Sequence, residues 1–358
     1  MYLSHLGIEN VRILPAVSFE PSPGLNIITG ENGSGKTSLL EAIHLIGHGY
    51  SFRSRKLKEV KSFDQPYLQV TAKKIDRKKQ QAIFVGIRRD QHKTEVKADG
   101  SAINSLSELA RIIPVRVFHP ESYHLVSGSS RLRRQYLDWG VFHVEHRFIE
   151  AWKRYNQCLK QRNAALRQRS SSASAWDREL SQMAAFINRA RRAYLEQLRT
   201  EIDGFVQRFL PGMSFDMVFI NGWDESASLQ DVLRENLSLD MKRGYTSLGA
   251  HRTDFQLKLD GHFAAEIVSR GQQKALVVAL LLAQIKIKKE HTGEGCICLI
   301  DDLPSELDRY RQENLVSALD EMQTQVFITG IDQNAMGIKG NKNNKMFHVE
   351  RGKLTELI

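Results

Sequence analysis

The chain has 358 residues, 41% hydrophobic and 26% charged, the balance of a soluble globular protein with no sign of wholesale disorder, and its length suits one core with an added lobe. The net charge is +10 with a pI near 9.4, concentrated in residues 51–80 (10 Lys/Arg against 3 Asp/Glu) and 151–200 (11 against 3), which points to a polyanionic partner. The longest apolar run, Ala275 to Ile285, is too short to cross a bilayer, and MYLSHLGIEN lacks an apolar signal core, so a cytoplasmic protein without a membrane partner is expected.

In chain order, alternating apolar and polar residues lead to LNIITG, Leu25 to Gly30, a short buried strand. ENGSGKTSLLEAIHLIGHG follows, with Leu39, Ile43 and Ile46 at helical spacing. From Tyr67 to Ala98 alternation returns in YLQVTAKK, QAIFVGIRR and KTEVKA, three strands of antiparallel character. From about His143 to Leu210 the pattern is helical, with a stripe of Leu180, Met183, Ile187, Ala190, Tyr194, Leu198 and Ile202. SSSASA, Ser170 to Ala175, breaks it and predicts the tip of an antiparallel helical hairpin. Strands SFDMVFI and DFQLKL come next, then a helix from Gln272 to about Lys288. The strand CICLI, a helix from Arg309 to Met322, the strand QVFIT and a hairpin in KMFHVERGKLTEL complete the order. Cys158, Cys296 and Cys298 form no CxxC or Cys/His cluster, and the last two share one side of a strand as core thiols.

Three motifs carry chemistry. Gly30-Glu31-Asn32-Gly33-Ser34-Gly35-Lys36-Thr37 matches GxxxxGK[ST] between a buried strand and a helix, where backbone N–H groups can turn around phosphate oxygens. Lys36 is expected on the β- and γ-phosphates and Thr37 on Mg²⁺. Asp301 and Asp302, just past CICLI, supply one carboxylate for the metal and one to polarise the attacking water. Ser269-Arg270-Gly271-Gln272-Gln273-Lys274 opens an apolar helix; taken alone it is a helix start with Ser269 as N-cap.

The order of these motifs resembles the ABC-type ATPases of the SMC branch and, within it, the RecF family of bacterial recombination mediators. The resembling stretches are LNIITGENGSGKTSLLEAI, GHGYSFRS, FHPESYHLVSGSSRLRRQYLDWGVFH, KQRNAALRQ, GAHRTDF, SRGQQKAL and LIDDLPSELD. The resemblance implies an α/β fold: an ABC-type ATPase head with mixed sheets, residues 1–118 and 240–358, and an inserted helical lobe, residues 119–239. It makes Gly30 to Thr37 with Ser38 the ATP site, and Ser269, Arg270, Gly271 and Gln272 a signature that acts on the nucleotide of a second subunit. Asp308 becomes the D-loop residue. It further implies an ATP-dependent homodimer, slow DNA-stimulated hydrolysis, DNA at gaps or single/double-strand junctions, and RecO, RecR and RecA as partners. Where the pattern has an aromatic and a proline, this chain has Val11 and Ala250. Glu121 takes the place of the usual Q-loop glutamine and Thr329-Gly330 that of a switch histidine, so neither of those roles carries over.

The basic segments supply DNA candidates: Lys58, Lys61, Lys73 and Lys74 near the phosphate loop, and Lys160, Arg162, Arg167 and Arg169 on the lobe. A small-molecule kinase, a transport ATPase and a non-hydrolysing DNA scaffold are the alternatives.

Overall fold

The computed structural model describes residues 1–331 and 344–357. The chain forms two compact units, residues 1–122 with 288–358, and residues 123–287.

The first unit is built on a mixed sheet with the spatial order Lys353–Leu357, Lys345–Glu350, Leu25–Thr29, Gln325–Thr329, Ile297–Ile300 and Val115–Phe118. All neighbours run parallel except the outermost pair. Leu25–Thr29, Gln325–Thr329 and Ile297–Ile300 are buried at every residue, as strands covered on both faces require. A second sheet is antiparallel and includes Tyr67–Ile75, Ala82–Asp90 and Thr94–Ala98, as the alternation predicts. Every second residue of Tyr67–Ile75 is buried, so this sheet has one core face. The helix Lys36–His48 is hidden on nearly all sides. Its Leu39, Leu40, Ile43 and Ile46 share one core with Leu3, Leu6 and Ile8 of the antiparallel sheet and Leu299 and Phe327 of the mixed sheet. Truncating any one of these to alanine removes about 2–5 kcal/mol, so the helix and the loop before it are fixed in place.

The second unit contains the predicted hairpin: helices Phe148–Arg167 and Asp177–Phe209 joined by a 3-10 turn, Ser171–Trp176. Leu180, Ile187, Tyr194, Leu198 and Ile202 of the stripe are buried, whereas Met183 and Ala190 are only partly so. Its interior is partly ionic. Arg162 is fully buried; its Nε donates to Asp177 Oδ1 (2.7 Å), and its Nη1 to Asp240 Oδ2 (2.7 Å) and Thr246 Oγ1 (2.9 Å).

The lobe was expected to end at residue 239, and the second unit instead runs to 287. Two contacts explain the difference. Strand Asp254–Leu259 pairs antiparallel with Phe215–Ile220, and helix Arg270–Thr292 locks onto helix Ser130–Val144. In that lock, Tyr136 Oη donates to Leu280 O and Gln284 Nε2 to Tyr136 O, each at 2.8 Å. The three cysteines are buried and free. Burial pushes the Cys296 thiol up to about 11 and that of Cys298 well above its ordinary value.

Candidate nucleotide site

Three adjacent parallel strands aim their C-terminal ends at one place. Leu25–Thr29 leads into the phosphate loop, Ile297–Ile300 into the aspartate pair, and Gln325–Thr329 lies between them and ends at Thr329. The crevice past the carboxyl ends of parallel strands is where open α/β sheets bind ligands. Gly30 holds φ 148°, and a Cβ there would lie 2.3 Å from Val349 O, so only glycine admits the loop this close to the neighbouring strand.

Lys36 is buried, and its Nζ donates to Gly30 O (2.7 Å) and Glu31 O (2.8 Å), which folds the ammonium over the loop. Thr37 Oγ1 donates to Asp301, 2.9 and 3.1 Å from its two oxygens. Thr329 Oγ1 donates to Asp301 Oδ1 and accepts from the Asp302 N–H, both at 2.8 Å. Asp302 holds φ 54°, ψ 52°, a left-handed conformation costly for a non-glycine residue, and its carboxylate accepts from Ser305 Oγ. Burial raises the Asp301 carboxyl above its usual range against the Thr329 and Thr37 hydroxyls, and burial lowers the Lys36 ammonium against the Asp302 and Asp301 charges. Burial thus disfavours both charged forms, and a polyanion beside Lys36 or a cation beside Asp301 would favour them.

The residues present fit a nucleotide with Mg²⁺. Among the described residues, Ser34 Oγ, inside the loop, is buried without a hydrogen-bond partner. Thr37 and Asp301 pair a hydroxyl with a carboxylate, the donor set Mg²⁺ takes alongside phosphate oxygens and water. Among the described residues no group of three or more His, Cys, Asp or Glu gathers into a cage for a metal, and Mg²⁺ on a nucleotide needs none.

The family model RecF/RecN/SMC N terminal domain matches residues 2–355. A protein of Stutzerimonas stutzeri (strain A1501) named DNA replication and repair protein RecF is 42% identical over 363 residues, 100% of this chain and 98% of that one. The chain belongs to the RecF family. A solved structure described as the recombination mediator protein RecF-ATP in the RecFOR pathway superimposes with TM-score 0.90 at 26% identity, over 100% of this chain and 98% of that chain. The Smc head domain of Pyrococcus furiosus has the same fold, with TM-score 0.61 at 14% identity over 99% of this chain and 96% of that chain. The architecture is an ABC-type ATPase head of the SMC kind.

The other residues expected to act in a RecF-family chain sort by exposure. Ser269 is exposed at the start of helix Arg270–Thr292; its Oγ accepts from Gln272 N (3.3 Å) while Gln272 Oε1 accepts from Ser269 N (2.9 Å), a reciprocal cap. Arg270 and Gly271 are exposed beside it. These residues lie in the second unit, outside the phosphate-loop unit in which the expected 240–358 segment placed them. Asp308 caps helix Arg309–Glu321, accepting from Arg311 N at 3.0 Å. Two of the DNA candidates face inward and are withdrawn. Arg162 is consumed by Asp177 and Asp240; Lys74 is buried against Glu294 at 3.3 Å. A helical period and a charge count do not distinguish an arginine turned into the hairpin from one turned out. Lys58, Lys160, Arg167 and Arg169 are exposed, and Lys61 and Lys73 half-buried, Lys73 over the Phe84 ring. Thr329, which stands where a switch histidine is usual, is the one residue at the strand ends whose part the sequence does not disclose: it holds both Asp301 and the Asp302 N–H. Lys242 and Arg243 are exposed on the short helix Leu237–Arg243, whose Leu237 and Met241 pack on Ala165, Leu166 and Ala173 at the hairpin tip.

Proposed function

We propose that the chain is an ATP-dependent DNA-binding protein of recombinational repair and replication that dimerises on ATP and turns it over slowly. The observation that carries this is the convergence of Lys36, Thr37, Asp301 and Thr329 at the ends of three adjacent parallel strands. Lys36 exchanges the Gly30 and Glu31 carbonyls for phosphate oxygens, and the loop N–H groups with Ser34 Oγ donate to the remainder. Thr37 and Asp301 would hold Mg²⁺, which supplies charge neutralisation at the phosphates. Asp302 orients the attacking water; an aspartate reaches one methylene less far than a glutamate, and a misplacement of ~1 Å costs roughly a hundredfold, which accounts for slow turnover.

Ser269 and the Gly271 N–H act on the nucleotide of a second copy, so the γ-phosphate joins the two copies and its loss releases them. The exposed cations Lys58, Lys160, Arg167 and Arg169, with Lys61 and Lys73, contact duplex phosphates without reading sequence, and DNA on the dimer stimulates hydrolysis. The relatives' names and the RecFOR description of the similar structure support a place in that pathway with RecO and RecR as partners; help in loading RecA is what the family resemblance implies. Sedimentation with and without ATP, Mg²⁺ and gapped DNA tests this. ATP-dependent doubling of mass that persists on gapped DNA supports it; a monomer under all conditions overturns it.

A further inference from the structure

Phe63 is 91% exposed, more than any other large apolar side chain among the described residues; Tyr310 follows at 61%. It stands at the tip of a turn, Ser62 to Gln65, closed by the Gln65 N–H on Ser62 O (3.3 Å). Asp64 beside it holds φ 57°, a left-handed conformation costly for a residue other than glycine. The turn is tied at its base. Ser62 donates its N–H to Asn10 O (2.9 Å) and its hydroxyl to Arg12 O (2.6 Å), the Lys61 N–H donates to Leu57 O (2.9 Å), and Lys61 bridges to Val11. Apolar residues scattered singly on a surface are ordinary. At 91% exposure, however, no packing accounts for the place of this ring, and a strained, anchored turn holds it in water.

The surroundings are cationic. Lys61 Nζ donates to Ser62 O (3.3 Å) and to Gln65 O, which folds an ammonium against the turn itself. Lys58 is exposed on the short helix Leu57–Val60 just before it, while Lys56 is paired with Glu59 at 3.1 Å. Just after the turn, Tyr67 opens the strand Tyr67–Ile75 with the Arg88 guanidinium 3.8 Å over its ring. A nucleobase suits this combination of ring and ammonium. Its π-face takes an aromatic ring whatever its sequence, and the phosphate attached to it takes a lysine. An apolar peptide side chain would use the ring and leave the lysines idle. A base offers its face to a protein ring only where it has left the duplex stack, so the fitting ligand is an unpaired one.

We propose that Phe63 is a stacking platform for an unpaired base, a contact by which the chain tells the end of a duplex from its interior. This rests on the DNA reading above. A ring fixed in advance by its turn gives up little conformational freedom on meeting the base.

The test compares the parent, Phe63→Ala and Phe63→Trp, with ATP and Mg²⁺, on a blunt duplex and on the same duplex carrying a single-stranded extension of either polarity. Phe63→Ala is expected to lower affinity for an extended duplex by about fivefold or more and to leave the blunt duplex, Tm and DNA-free ATP turnover at parental values; Phe63→Trp should keep parental affinity throughout. The slope of log K against log salt should be the same in Phe63→Ala as in the parent, because a ring releases no counterions, and this separates stacking from a lost phosphate contact. A fluorescent base analogue at each unpaired position next to the duplex reads the contact directly: the parent should quench it at one position and Phe63→Ala should not. Equal affinity of parent and Phe63→Ala for the extended duplexes, or an equal loss on blunt and extended DNA, overturns the proposal. A parent that binds no DNA overturns the proposed function and this inference together; a parent that binds DNA and is indifferent to Phe63→Ala overturns the role of Phe63 alone.

Discussion

Asp302 occupies a left-handed backbone position that asparagine tolerates well, so Asp302→Asn removes charge without disturbing the turn. It is expected to retain ATP binding and lose turnover by at least about a hundredfold, while Lys36→Ala loses binding itself; equilibrium binding beside single-turnover hydrolysis separates the two. His251 gives a pH dependence. Its Nδ1 meets Tyr155 Oη (2.7 Å) and its Nε2 Thr246 O (3.0 Å), and burial pushes it down from 6.5 to about 4. Below 6.5 the unfolded chain takes up a proton that the folded one refuses until about 4. Stability therefore falls with pH across that window, by up to about 3 kcal/mol for this group. Trp139, Trp152, Trp176 and Trp223 all lie in the same unit, so the urea midpoint by tryptophan fluorescence should drop between pH 7 and 5. An unchanged midpoint contradicts the assignment. At this scale the sequence disclosed what is local. Lys36, Thr37 and the Asp301–Asp302 pair sit in contiguous patterns whose spacing states their chemistry. Thr329 meets Asp301 28 residues away in the chain, and no window around it shows this.

The hairpin separates two kinds of arginine on one element. Arg162→Gln leaves Asp177 and Asp240 as buried carboxylates with their cation gone, and is expected to cost about 3–5 kcal/mol, read as a loss of Tm or of soluble protein. Replacing Lys160, Arg167 and Arg169 with glutamine removes exposed charges that make no ion pair among the described residues, so Tm should stay within a degree or two. Duplex affinity should fall, and the slope of log K against log salt should flatten by roughly two to three units. An unaltered slope moves the DNA surface to Lys58 and its neighbours. The elements themselves were readable because period and breaker residues are physical signals. Leu180 to Ile202 mark one buried face of a helix longer than the average, and the serine run marks its start. The inward turn of Arg162 was not, because a buried ion pair has the same letters as a solvated one.

At the scale of the whole molecule, Ser269 and the phosphate loop belong to different compact units, and the proposed contact of Ser269 with the nucleotide of a second copy is tested at that residue. Ser269→Arg sacrifices a cap worth about 1 kcal/mol and sets bulk and charge at that contact. The variant should bind ATP at the parental affinity and sediment as a monomer; ATP-dependent dimers of parental strength contradict action in trans. The boundary near residue 287 escaped the sequence reading because strand Asp254–Leu259 and helix Arg270–Thr292 carry no sign of which sheet or helix they join. The interleaving of the units also has a consequence on the ribosome. Ile27, on the strand that leads into the phosphate loop, pairs with Ile328 on one side and Met346 on the other. At about 5–20 residues per second, roughly 15–60 seconds pass between the emergence of that apolar strand and of its neighbours. The intervening segment can compact in that interval, because its hairpin and sheet contacts close within residues 123–287. The nucleotide-binding strand meanwhile waits with both edges open. Nascent chains should thus depend on a chaperone that shields apolar strands, and ATP affinity should be the last property a growing chain acquires.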